Sequence, residues 1–475
     1  MAGPFDAMLR LIDNYDMIPE GGTVLCALSG GADSVCLLHR LRCLQYMRRF
    51  TLAAAHFNHR LRGEESDRDE AFVRKFVAEH CGPRTVSDKN GEHQLPAVSL
   101  YVGSGDVAGE ARRRKAGLEE TAREMRYGFL RKTAAQLGGA LIATAHTADD
   151  NAETILLHLA RGSGLRGLTG IRPVGDGVIR PMLTTTRTQV EEHLRLYGLP
   201  HVEDSSNTDE SFSRNRPRRR VLPELEALYP GVAARTADTA ALLRLDEDYL
   251  TAQAENAVAG IFPENGTIRL SAKTVGDLPD ALAPRAARLL IARLREGDTD
   301  LAAPHLLGVV ALCRGTDPSA QISLPDGLTA RREYGDLVIS SGEDVPKSPA
   351  PVPVALNGQT VYGDTGWSIS CRPAVCPEEN SKNPDTFYLS CDRISGTLFL
   401  RPRQTGDSLK LPGRSTRTLK KLFIDRKVPR LSRSLLPVLA DKNGIAAVAS
   451  FGPDESYLAA PGEGAWEITF HFGVK

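Results

Sequence analysis

The stretch ALSGGADSV, residues 27–35, decides the fold, because it joins an apolar run to an amphipathic helix through a glycine-rich turn. Residues 23–28 are apolar enough for a buried strand, and residues 33–46 carry apolar side chains at helical spacing. A strand, a glycine turn and a helix in this order present backbone N–H groups and the positive end of a helix dipole. The turn is therefore expected to bind an anion, and phosphate fits it best.

The composition of the turn indicates pyrophosphate together with a metal ion. Gly30 and Gly31 allow a close backbone approach, and Ser29 and Ser34 add hydroxyl donors. The turn has neither the lysine nor the spacing of G-x-x-x-x-G-K-[ST], and it does not fit G-x-G-x-x-G. Asp33 would repel a phosphate unless Mg²⁺ lay between them. A plain helix cap by Asp33 or Ser34 is the alternative.

The pattern around this turn predicts an α/β fold. Strand-like and helix-like stretches alternate through residues 1–200, which indicates a parallel sheet with helices on both faces and a ligand beyond the carboxyl ends of its strands. The predicted strands cover residues 23–28, 52–57, 97–102, 140–145 and 178–183. The predicted helices cover residues 33–46, 67–79, 111–137 in one or two pieces, 152–160 and 188–197.

Three domains are expected in the 475 residues. Residues 1–225 form a nucleotide-binding domain, residues 226–318 read as nearly all helix, and residues 319–475 mix strands with one helix as an α+β domain. The formal net charge is zero, no apolar run reaches the roughly 18 residues of a membrane span, and the start of the chain resembles no secretory signal. Eight cysteines without a CxxC pair or zinc spacing favour free thiols in a reducing cytoplasm.

SGGADS, residues 29–34, matches the S-G-G-x-D-S loop of the N-type ATP pyrophosphatases, which cleave ATP between the α and β phosphates and adenylate a substrate. Longer stretches resemble one branch of that group, the tRNA(Ile)-lysidine synthetases. They are HFNHRLRGEESDRDEAFV (56–73), EETAREMRYGFL (119–130), ATAHTADDNAETILLHLARGSGLRGLTGI (143–171), EDSSNTDESFSRNRPRRRVLPEL (203–225) and RPRQTGDSLKLPGRSTRTLKKLF (401–423).

This resemblance implies an adenine nucleotide α-hydrolase-like (HUP) sheet in the first domain, with tRNA-binding roles for the other two. The implied reaction ligates free L-lysine to C2 of the wobble cytidine of a CAU-anticodon tRNA(Ile), through an adenylated cytidine, and releases AMP and pyrophosphate. ATP is a substrate and Mg²⁺ is the expected metal. The residues implied to bind ATP are Ser29, Gly30, Gly31, Ala32, Asp33, Ser34, His56 and Asn58. For His56 and Asn58, a satisfied polar strand end is the alternative.

Carboxylates cluster in HTADDNAET, residues 146–154, which follows the fourth predicted strand and opens the helix predicted at 152–160. Asp150 and Glu153 are three positions apart and so share a helix face. The resemblance implies that Asp150, Glu153 and His146 contact lysine, and that Asp33 and Asp149 hold the metal. Which carboxylate contacts which ligand stays open, and acids that only complement a helix dipole are the alternative. The predicted catalytic set is Asp33, Arg123, Asp149, Asp150 and Glu153.

Arg123 and Arg126 project from the long charged helix, where one of them, with Arg123 favoured by the resemblance, could neutralise the α-phosphate during transfer. An exposed helix with ion pairs such as Glu119 with Arg123 is the other interpretation.

Basic residues are concentrated in two places despite the zero net charge. Arg214 and Arg218 belong to RNRPRRR, residues 214–220, and residues 401–433 contain eleven basic residues against two acidic ones. Such density suits tRNA phosphates and predicts salt-dependent affinity. The predicted tRNA contacts are Arg214, Arg218, Arg403, Lys420 and Lys421. A solvated surface helix at 418–426 is the alternative, and Pro217, where relatives usually have an aliphatic residue, puts the presentation of Arg218 in doubt.

Three rival functions are less consistent with the sequence. A tRNA thiolase of the same loop group would need cysteines in a motif, a small-molecule amide synthetase has no use for a basic C-terminal domain, and a non-catalytic sensor has no use for four acids around one loop. We therefore expect an enzyme that works in the cytoplasm on tRNA, ATP and L-lysine, does not contact a membrane, and is compatible with a homodimer.

Overall fold

The structure is a computed structural model, and it describes residues 4–61, 63–88, 91–203, 216–295, 301–341, 348–378, 383–429 and 431–473. The chain divides into two compact units, Met1–Tyr249 and Leu250–Lys475. None of the helices in these described ranges is both long and apolar enough to cross a membrane. All eight cysteines are free thiols, as expected.

The strands of the first unit are β1 (Thr23–Ala27), β2 (Thr51–Asn58), β3 (Arg84–Asp88), β4 (Gly91–Leu95), β5 (Ser99–Ser104), β6 (Leu141–Ala143), β7 (Val174–Gly175) and β8 (Val178–Ile179). The helices are α1 (Pro4–Asn14), α2 (Ala32–Leu44), α3 (Glu64–His80), α4 (Val107–Arg114), α5 (Leu118–Gln136), α6 (Ala148–Ala160), α7 (Leu165–Leu168), α8 (Arg187–Tyr197), α9 (Leu222–Leu228) and α10 (Val232–Ala257), which continues into the second unit.

The central sheet of the first unit has the strand order β5-β2-β1-β6-β8-β7. Neighbouring strands pair in parallel from β5 to β8, and β7 runs antiparallel to β8. The predicted parallel sheet is therefore confirmed. Because the chain passes from β1 to β2 on one side and places β6 on the other, the carboxyl end of β1 lies at the switch point where such sheets bind ligands.

Helices cover both faces of this sheet because successive residues of each strand point in opposite directions. Leu25 of β1 packs in one cluster with Leu130 of α5. Its neighbours Val24 and Cys26 pack on the opposite face, in a cluster that includes Leu38 of α2. The sheet is thus buried on both sides, which explains why its strands read as continuous apolar runs.

The remaining strands belong to the second unit: β9 (Thr267–Ser271), β10 (Gln321–Ser323), β11 (Leu328–Glu333), β12 (Asp336–Ser341), β13 (Val352–Pro353), β14 (Gly358–Val361), β15 (Trp367–Val375), β16 (Thr386–Ser390), β17 (Phe399–Arg401), β18 (Ser408–Leu409), β19 (Arg417–Thr418), β20 (Val438–Ala440), β21 (Ile445–Val448), β22 (Gly452–Pro453) and β23 (Gly464–Phe472). Its helices after α10 are α11 (Ala272–Gly276), α12 (Ala283–Ala292), α13 (Ala303–Arg314) and α14 (Leu419–Asp425).

The strands of the second unit form antiparallel sheets with the orders β10-β11-β12-β9, β13-β17-β20-β21-β22 and β14-β15-β23-β16, and β18 pairs with β19. The first sheet shares its core with α11, α12 and α13. The other two long sheets share a core with α14. This strand-rich architecture agrees with the predicted α+β character of the C-terminal region.

One difference from the prediction has a clear cause, and one alternative that the prediction left open is decided. The stretch 226–318, predicted as helical, contains β9, which pairs with β12 across the predicted boundary at residue 318. Its short alternating pattern is easily missed among Ala- and Leu-rich helices. The stretch 111–137, predicted as helical in one or two pieces, is in two pieces, because Lys115 ends α4 in the left-handed conformation with φ of 54°.

Candidate active site

A cavity of about 830 Å³ opens at the carboxyl ends of β1, β2 and β6 in the first unit. Its wall includes the glycine turn, the end of β2, α5, the segment after β6, the start of α8 and the segment 201–203. The polar residues of the wall are Ser29, Asp33, Ser34, His56, Asn58, His59, Ser66, Asp69, Arg126, Tyr127, Thr144, His146, Arg187, Glu191, His201, Glu203 and Arg218. The volume is in the range of ligand sites in proteins.

The glycine turn is held in shape by Ser34. Its buried hydroxyl accepts hydrogen bonds from the backbone N–H groups of Ser29 and Gly30, both at 3.2 Å, and donates to the carbonyl of Gly31 at 2.9 Å. Gly30 has a φ of 97°, and a side chain there would meet Val73 at 3.2 Å. These bonds direct the first two amides inward, so the amides that remain for an anion are those at the start of α2.

Asp33 lies at the edge of the cavity with its two carboxylate oxygens in different surroundings. Oδ2 accepts a hydrogen bond from Nη1 of Arg187 at 2.7 Å. Oδ1 is buried and has no hydrogen-bond partner among the described residues. Burial raises the pKa of Asp33 to about 6, although the guanidinium of Arg187 opposes the rise. The Asp33 carboxylate is therefore ionised above about pH 6 with one oxygen free to hold a cation.

Asp149 and Asp150 lie at the start of α6, where their carboxylates accept hydrogen bonds from different groups. Oδ2 of Asp149 accepts from the backbone N–H of Arg187 at 2.7 Å. Oδ2 of Asp150 accepts from the backbone N–H of Thr147 at 2.9 Å, and the Thr147 hydroxyl accepts from the Asp150 N–H at 3.3 Å, which forms a capping box. Burial raises the pKa of Asp149. One oxygen of Asp150 therefore caps the start of α6, as the alternative interpretation of these acids expects.

Arg218 lies on the cavity wall and is bonded to the two acids predicted to contact lysine. Its Nε donates to Oε1 of Glu153 at 2.6 Å, and its Nη2 donates to Oε2 of Glu153 at 3.3 Å and to Oδ1 of Asp150 at 2.9 Å. Burial raises the pKa of Glu153, and Arg218 opposes that rise. Pro217 is buried at the first position of a π-helical turn, Pro217–Val221, where its missing N–H has no partner to lose.

The cavity is also lined by His56, Asn58 and His146, which are predicted to bind substrates. Some of their polar atoms already form hydrogen bonds within the protein. His56 donates from Nδ1 to the carbonyl of Leu28 at 2.9 Å, which leaves Nε2 as an acceptor, and burial lowers its pKa. His146 Nδ1 lies 3.0 Å from the Thr144 hydroxyl, and burial lowers the pKa of His146 to about 4. Both imidazoles are therefore neutral at neutral pH.

Asn58 fits the structural interpretation better than a ligand contact. Its amide donates to Asp67 at 3.2 Å and to Glu70 at 3.1 Å, and its carbonyl oxygen accepts from the N–H of Arg60 at 2.9 Å. The side chain is 4% exposed. It holds the start of α3 against the end of β2.

On α5 the wall of the cavity carries Arg126 and Tyr127, whereas Arg123 is outside the lining that the described residues form. The guanidinium of Arg123 lies 4.9 Å from the ring centre of Tyr127 on an exposed part of the helix. Burial lowers the pKa of Arg126. Of the two arginines, Arg126, one helical turn further on, is therefore the one that lines the cavity.

The residues fit Mg²⁺ in the manner that this ion prefers with nucleotides. Within the described ranges there is no group of three or more His, Cys, Asp or Glu side chains arranged to hold a metal ion. Mg²⁺ is commonly held by one or two carboxylates plus substrate phosphates. The unpartnered Oδ1 of Asp33, next to the anion-binding turn, provides one such carboxylate oxygen.

The predicted tRNA contacts fall in four different situations. Arg214 lies outside the described residues, and Arg218 is bonded inside the first unit. Arg403 is half-buried, whereas Lys420 and Lys421 are exposed on α14, whose opposite face is buried through Leu419, Leu422 and Phe423.

Other members of the basic segment already carry internal partners. Arg401 makes a two-bond pair with Asp407 at 2.8 and 2.9 Å, and Arg417 pairs with Asp425 at 2.7 Å. The surface charge is therefore smaller than the count of basic residues indicates.

Three polar residues of the cavity wall lie outside the motifs quoted above: Arg187, Glu191 and His201. His201 and Glu203 reach the cavity because Val202 pairs with Gly31 as a parallel bridge, with its N–H donating to the Gly30 carbonyl at 2.9 Å. Arg187 follows Thr186, which forms a capping box with Gln189. That T-x-x-Q spacing predicts the start of α8, but only the fold brings it to Asp33.

Two families match the chain. Residues 7–225 match the PP-loop domain family, and residues 398–470 match the family described as TilS substrate C-terminal domain. The tRNA(Ile)-lysidine synthase of Geobacter sulfurreducens is 33% identical over 482 residues, which cover 98% of this chain and 97% of that protein. The tRNA(Ile)-lysidine synthase of Dehalococcoides mccartyi is 32% identical over 464 residues, with 94% of each chain covered.

Solved structures with a similar fold include the U34-tRNA thiolase NcsA from Methanococcus maripaludis, with a TM-score of 0.40 and 15% identity over 50% of this chain and 79% of that one. The NH3-dependent NAD synthetase from Campylobacter jejuni has a TM-score of 0.28 and 14% identity, with 55% of this chain and 96% of that one covered.

Proposed function

We propose a function from the premise that this chain belongs to the tRNA(Ile)-lysidine synthase family. It is an ATP-dependent ligase that joins L-lysine to C2 of the wobble cytidine of a CAU-anticodon tRNA(Ile). The observation that carries the assignment is that the glycine turn and Asp33 line one cavity at the carboxyl edge of the sheet, and that two arginines of the same wall, Arg187 and Arg218, are bonded to the α6 acids. A pure nucleotide sensor would have no need for the acids.

The reaction has two steps in which the cytidine oxygen changes from a poor to a good leaving group. In the first step the C2 oxygen attacks the α-phosphorus of ATP, and pyrophosphate leaves. In the second step the ε-amine of lysine attacks C2, AMP departs with the oxygen, and the amine loses a proton. The cavity of about 830 Å³ has room to hold the reacting groups together.

The chain's own residues divide these tasks by position. The amides at the start of α2, at Ala32 and Asp33, face the β and γ phosphates, and His56 Nε2 accepts a hydrogen bond from the nucleotide. Asp33 Oδ1 would hold the metal ion together with the phosphates, and Asp149 at the start of α6 would support it. Bound Mg²⁺ would offset the charge on the departing pyrophosphate. Arg126 is better placed than Arg123 to meet the α-phosphate.

Lysine recognition has a conflict that the surroundings of Glu153 help to resolve. Carboxylates next to an ammonium raise its pKa, yet the attacking amine must be neutral. Burial raises the pKa of Glu153, which makes this carboxylate a better proton acceptor than an exposed one. We assign Asp150 to hold lysine and Glu153 to take the ε proton, with neutral His146 at the same wall.

Binding of the tRNA is assigned to the later parts of the chain. Residues 226–318 and 319–475 are proposed to hold the tRNA body, with Arg403, Lys420 and Lys421 on its phosphates. The matched TilS substrate C-terminal domain over residues 398–470 supports this assignment. A cytoplasmic location is part of the proposal because tRNA, ATP and free lysine occur together there, and the homodimer stays a prediction that analytical ultracentrifugation can test.

The proposed function is tested by incubating the full chain with ATP, Mg²⁺, labelled L-lysine and a CAU-anticodon tRNA(Ile). Label should enter the RNA, and it should not do so when ATP is omitted or when the wobble cytidine is replaced by uridine. The methionine tRNA with the same anticodon tests discrimination. Labelling of the uridine-substituted tRNA, or release of pyrophosphate with no label in any RNA, would contradict the proposal.

A further inference from the structure

The guanidinium of Arg218 occupies the two carboxylates that the proposed function gives to lysine. Three hydrogen bonds join them, at 2.6 and 3.3 Å to Glu153 and at 2.9 Å to Asp150. The two-bond contact with Glu153 is the geometry in which a guanidinium pairs most strongly with a carboxylate. The site for a cationic substrate thus already contains a cation from the chain itself.

Lysine would have to compete with Arg218 for these oxygens. The side chain of Glu153 is 4% exposed, and both of its oxygens are bonded to Arg218. One oxygen of Asp150 is bonded to Arg218, and the other is bonded to Thr147. Arg218 lines the cavity, whereas Asp150 and Glu153 are not part of the lining that the described residues form. The guanidinium therefore lies between the cavity and both acids.

We propose that Arg218 is an internal occupant of the lysine site, and that lysine binds there only after this guanidinium has moved to a tRNA phosphate. The inference rests on the proposed function and deepens it. Arg218 belongs to a run of basic residues and keeps 39% of its side chain exposed, so an incoming phosphate can reach it. Phosphate offers the same two-bond geometry as Glu153, which makes an exchange of partners chemically reasonable.

This exchange would set the order in which the substrates arrive. While the tRNA is absent, Arg218 covers Glu153 and pairs with Asp150, which weakens lysine binding. When tRNA phosphates draw Arg218 away, two carboxylates are left without a counter-charge, and the lysine ammonium replaces it. The nucleophile therefore enters after the base that it must attack. Because binding energies are linked, bound lysine must strengthen tRNA binding by the same factor by which bound tRNA strengthens lysine binding.

The competing explanation is that Arg218 is a permanent partner that holds Glu153 and Asp150 in place. The two explanations predict opposite changes in lysine affinity when the guanidinium is removed. If Arg218 is an occupant, its removal tightens lysine binding by the inverse of the fraction of molecules in which the site is open. If Arg218 only positions the acids, its removal weakens lysine binding.

The experiment is calorimetric titration of L-lysine into the full chain, without ATP or tRNA, for the wild type, Arg218→Gln and Arg218→Lys. We expect about tenfold or greater tightening for Arg218→Gln, which corresponds to a site open in about a tenth of wild-type molecules or fewer. Arg218→Lys should stay near the wild type because its ammonium can still pair with the acids. Arg187→Gln is the matched control, since it removes an arginine of the same cavity wall that is bonded to Asp33 instead.

Unchanged or weaker lysine binding in Arg218→Gln, or equal tightening in Arg187→Gln, would overturn the proposal. If Arg218→Gln does not fold, the wild type alone decides: CAU-anticodon tRNA should tighten lysine binding about tenfold, and lysine binding that does not respond to tRNA would overturn it. The labelling assay of the proposed function is read separately. Label in the RNA with no response of lysine affinity to Arg218 or tRNA removes this inference and leaves the proposed function intact.

Discussion

Arg187 holds Asp33 by one carboxylate oxygen and leaves the other free. Nη1 of Arg187 donates to Oδ2 of Asp33 at 2.7 Å, the backbone N–H of the same arginine donates to Asp149, and Oδ1 of Asp33 has no partner among the described residues. Arg187, the first residue of α8, thus fixes both Asp33, which follows β1, and Asp149, which follows β6. The orientation of the free oxygen is a property of the fold and not of the SGGADS motif alone.

Replacing this carboxylate should remove adenylation and spare tRNA binding. Asp33→Asn keeps the shape but loses the charge that holds a metal ion, so we expect tRNA-dependent ATP–pyrophosphate exchange to fall by about 10² or more, the usual loss for one electrostatic contact in an active site. Asp176→Asn, an exposed position in the β7–β8 turn, is the charge-matched control. A filter-binding assay should give the same tRNA affinity for all three proteins, and an equal loss of exchange and tRNA binding would contradict this division.

The same substitution should make the protein more stable at neutral pH. The pKa of Asp33 is raised from 3.8 to about 6 by burial, so the protonated form favours folding below pH 3.8, and this contribution is lost as the pH rises towards 6. Asp33→Asn avoids that loss, and its gain in the free energy of unfolding at pH 7.5 is at most about 3 kcal/mol. Thermal melts of wild type and variant at pH 7.5 and 4.5 measure it. A gain in the free energy of unfolding that is larger at pH 4.5 than at pH 7.5 would contradict this pH dependence.

Glu153→Gln should separate the two chemical steps. The amide keeps the size of the side chain but neither accepts the ε proton nor balances an ammonium, so we expect lysine transfer to fall by about 10² or more. Exchange of pyrophosphate, which precedes lysine entry, should stay within about threefold of the wild type. Single-turnover assays with labelled ATP and labelled lysine read the two steps separately. If both steps are lost in proportion, Glu153 acts on the nucleotide instead.

The two glycines of the turn should respond differently to alanine. Gly30 has a φ of 97° and close neighbours in Val73 and Phe72, so Gly30→Ala should lower the free energy of unfolding by about 1–3 kcal/mol. Gly31 has a φ of −74° and no neighbour closer than 3.6 Å, so Gly31→Ala should fold normally. Gly31 lines the cavity, and its new methyl group should weaken ATP binding. Urea unfolding and ATP titration distinguish these effects, and equal stability losses would refute the distinction.

Lys420 and Lys421 should contribute to tRNA affinity through phosphate contacts. If both lie on phosphates, changing them to alanine should reduce the slope of log affinity against log salt by about 1 to 2. The control replaces Lys273 and Lys442, two exposed lysines of the same unit outside residues 401–433. Filter binding between about 50 and 200 mM salt gives the slopes. An unchanged slope in the α14 variant would remove that helix from the interface.

Much of the first unit could be predicted because its signals are local. The apolar run at 23–28, the glycine turn and the helix after it follow from residue types and spacing, and the structure places β1 at Thr23–Ala27 and α2 at Ala32–Leu44. The hairpin of β3 and β4 was missed because its polar sequence has no apolar alternation. The strand β9 was missed because its pairing partner lies about 70 residues further along the chain.

Many residues of the site could be predicted from the sequence, but the hydrogen bonds between them could not. Asp33, His146 and Arg218 reach the cavity, but no spacing rule predicts that Arg218 pairs with Asp150 and Glu153 or that Arg187 reaches Asp33. These pairs join residues 65 to 154 positions apart. Which of Arg123 and Arg126 lines the cavity depends on the packing of α5, which neighbouring residue types do not reveal.

The bonds around Ser34 have a consequence for nucleotide affinity. Because its hydroxyl already ties Ser29, Gly30 and Gly31 together, the loop exists in its working shape before any phosphate arrives. Little conformational entropy has to be surrendered on association, so the enthalpy of the phosphate contacts is retained as affinity. The Ser34 hydroxyl makes its hydrogen bonds within the turn itself. Replacing it would nevertheless weaken nucleotide binding, because a preorganised receptor would become a flexible one.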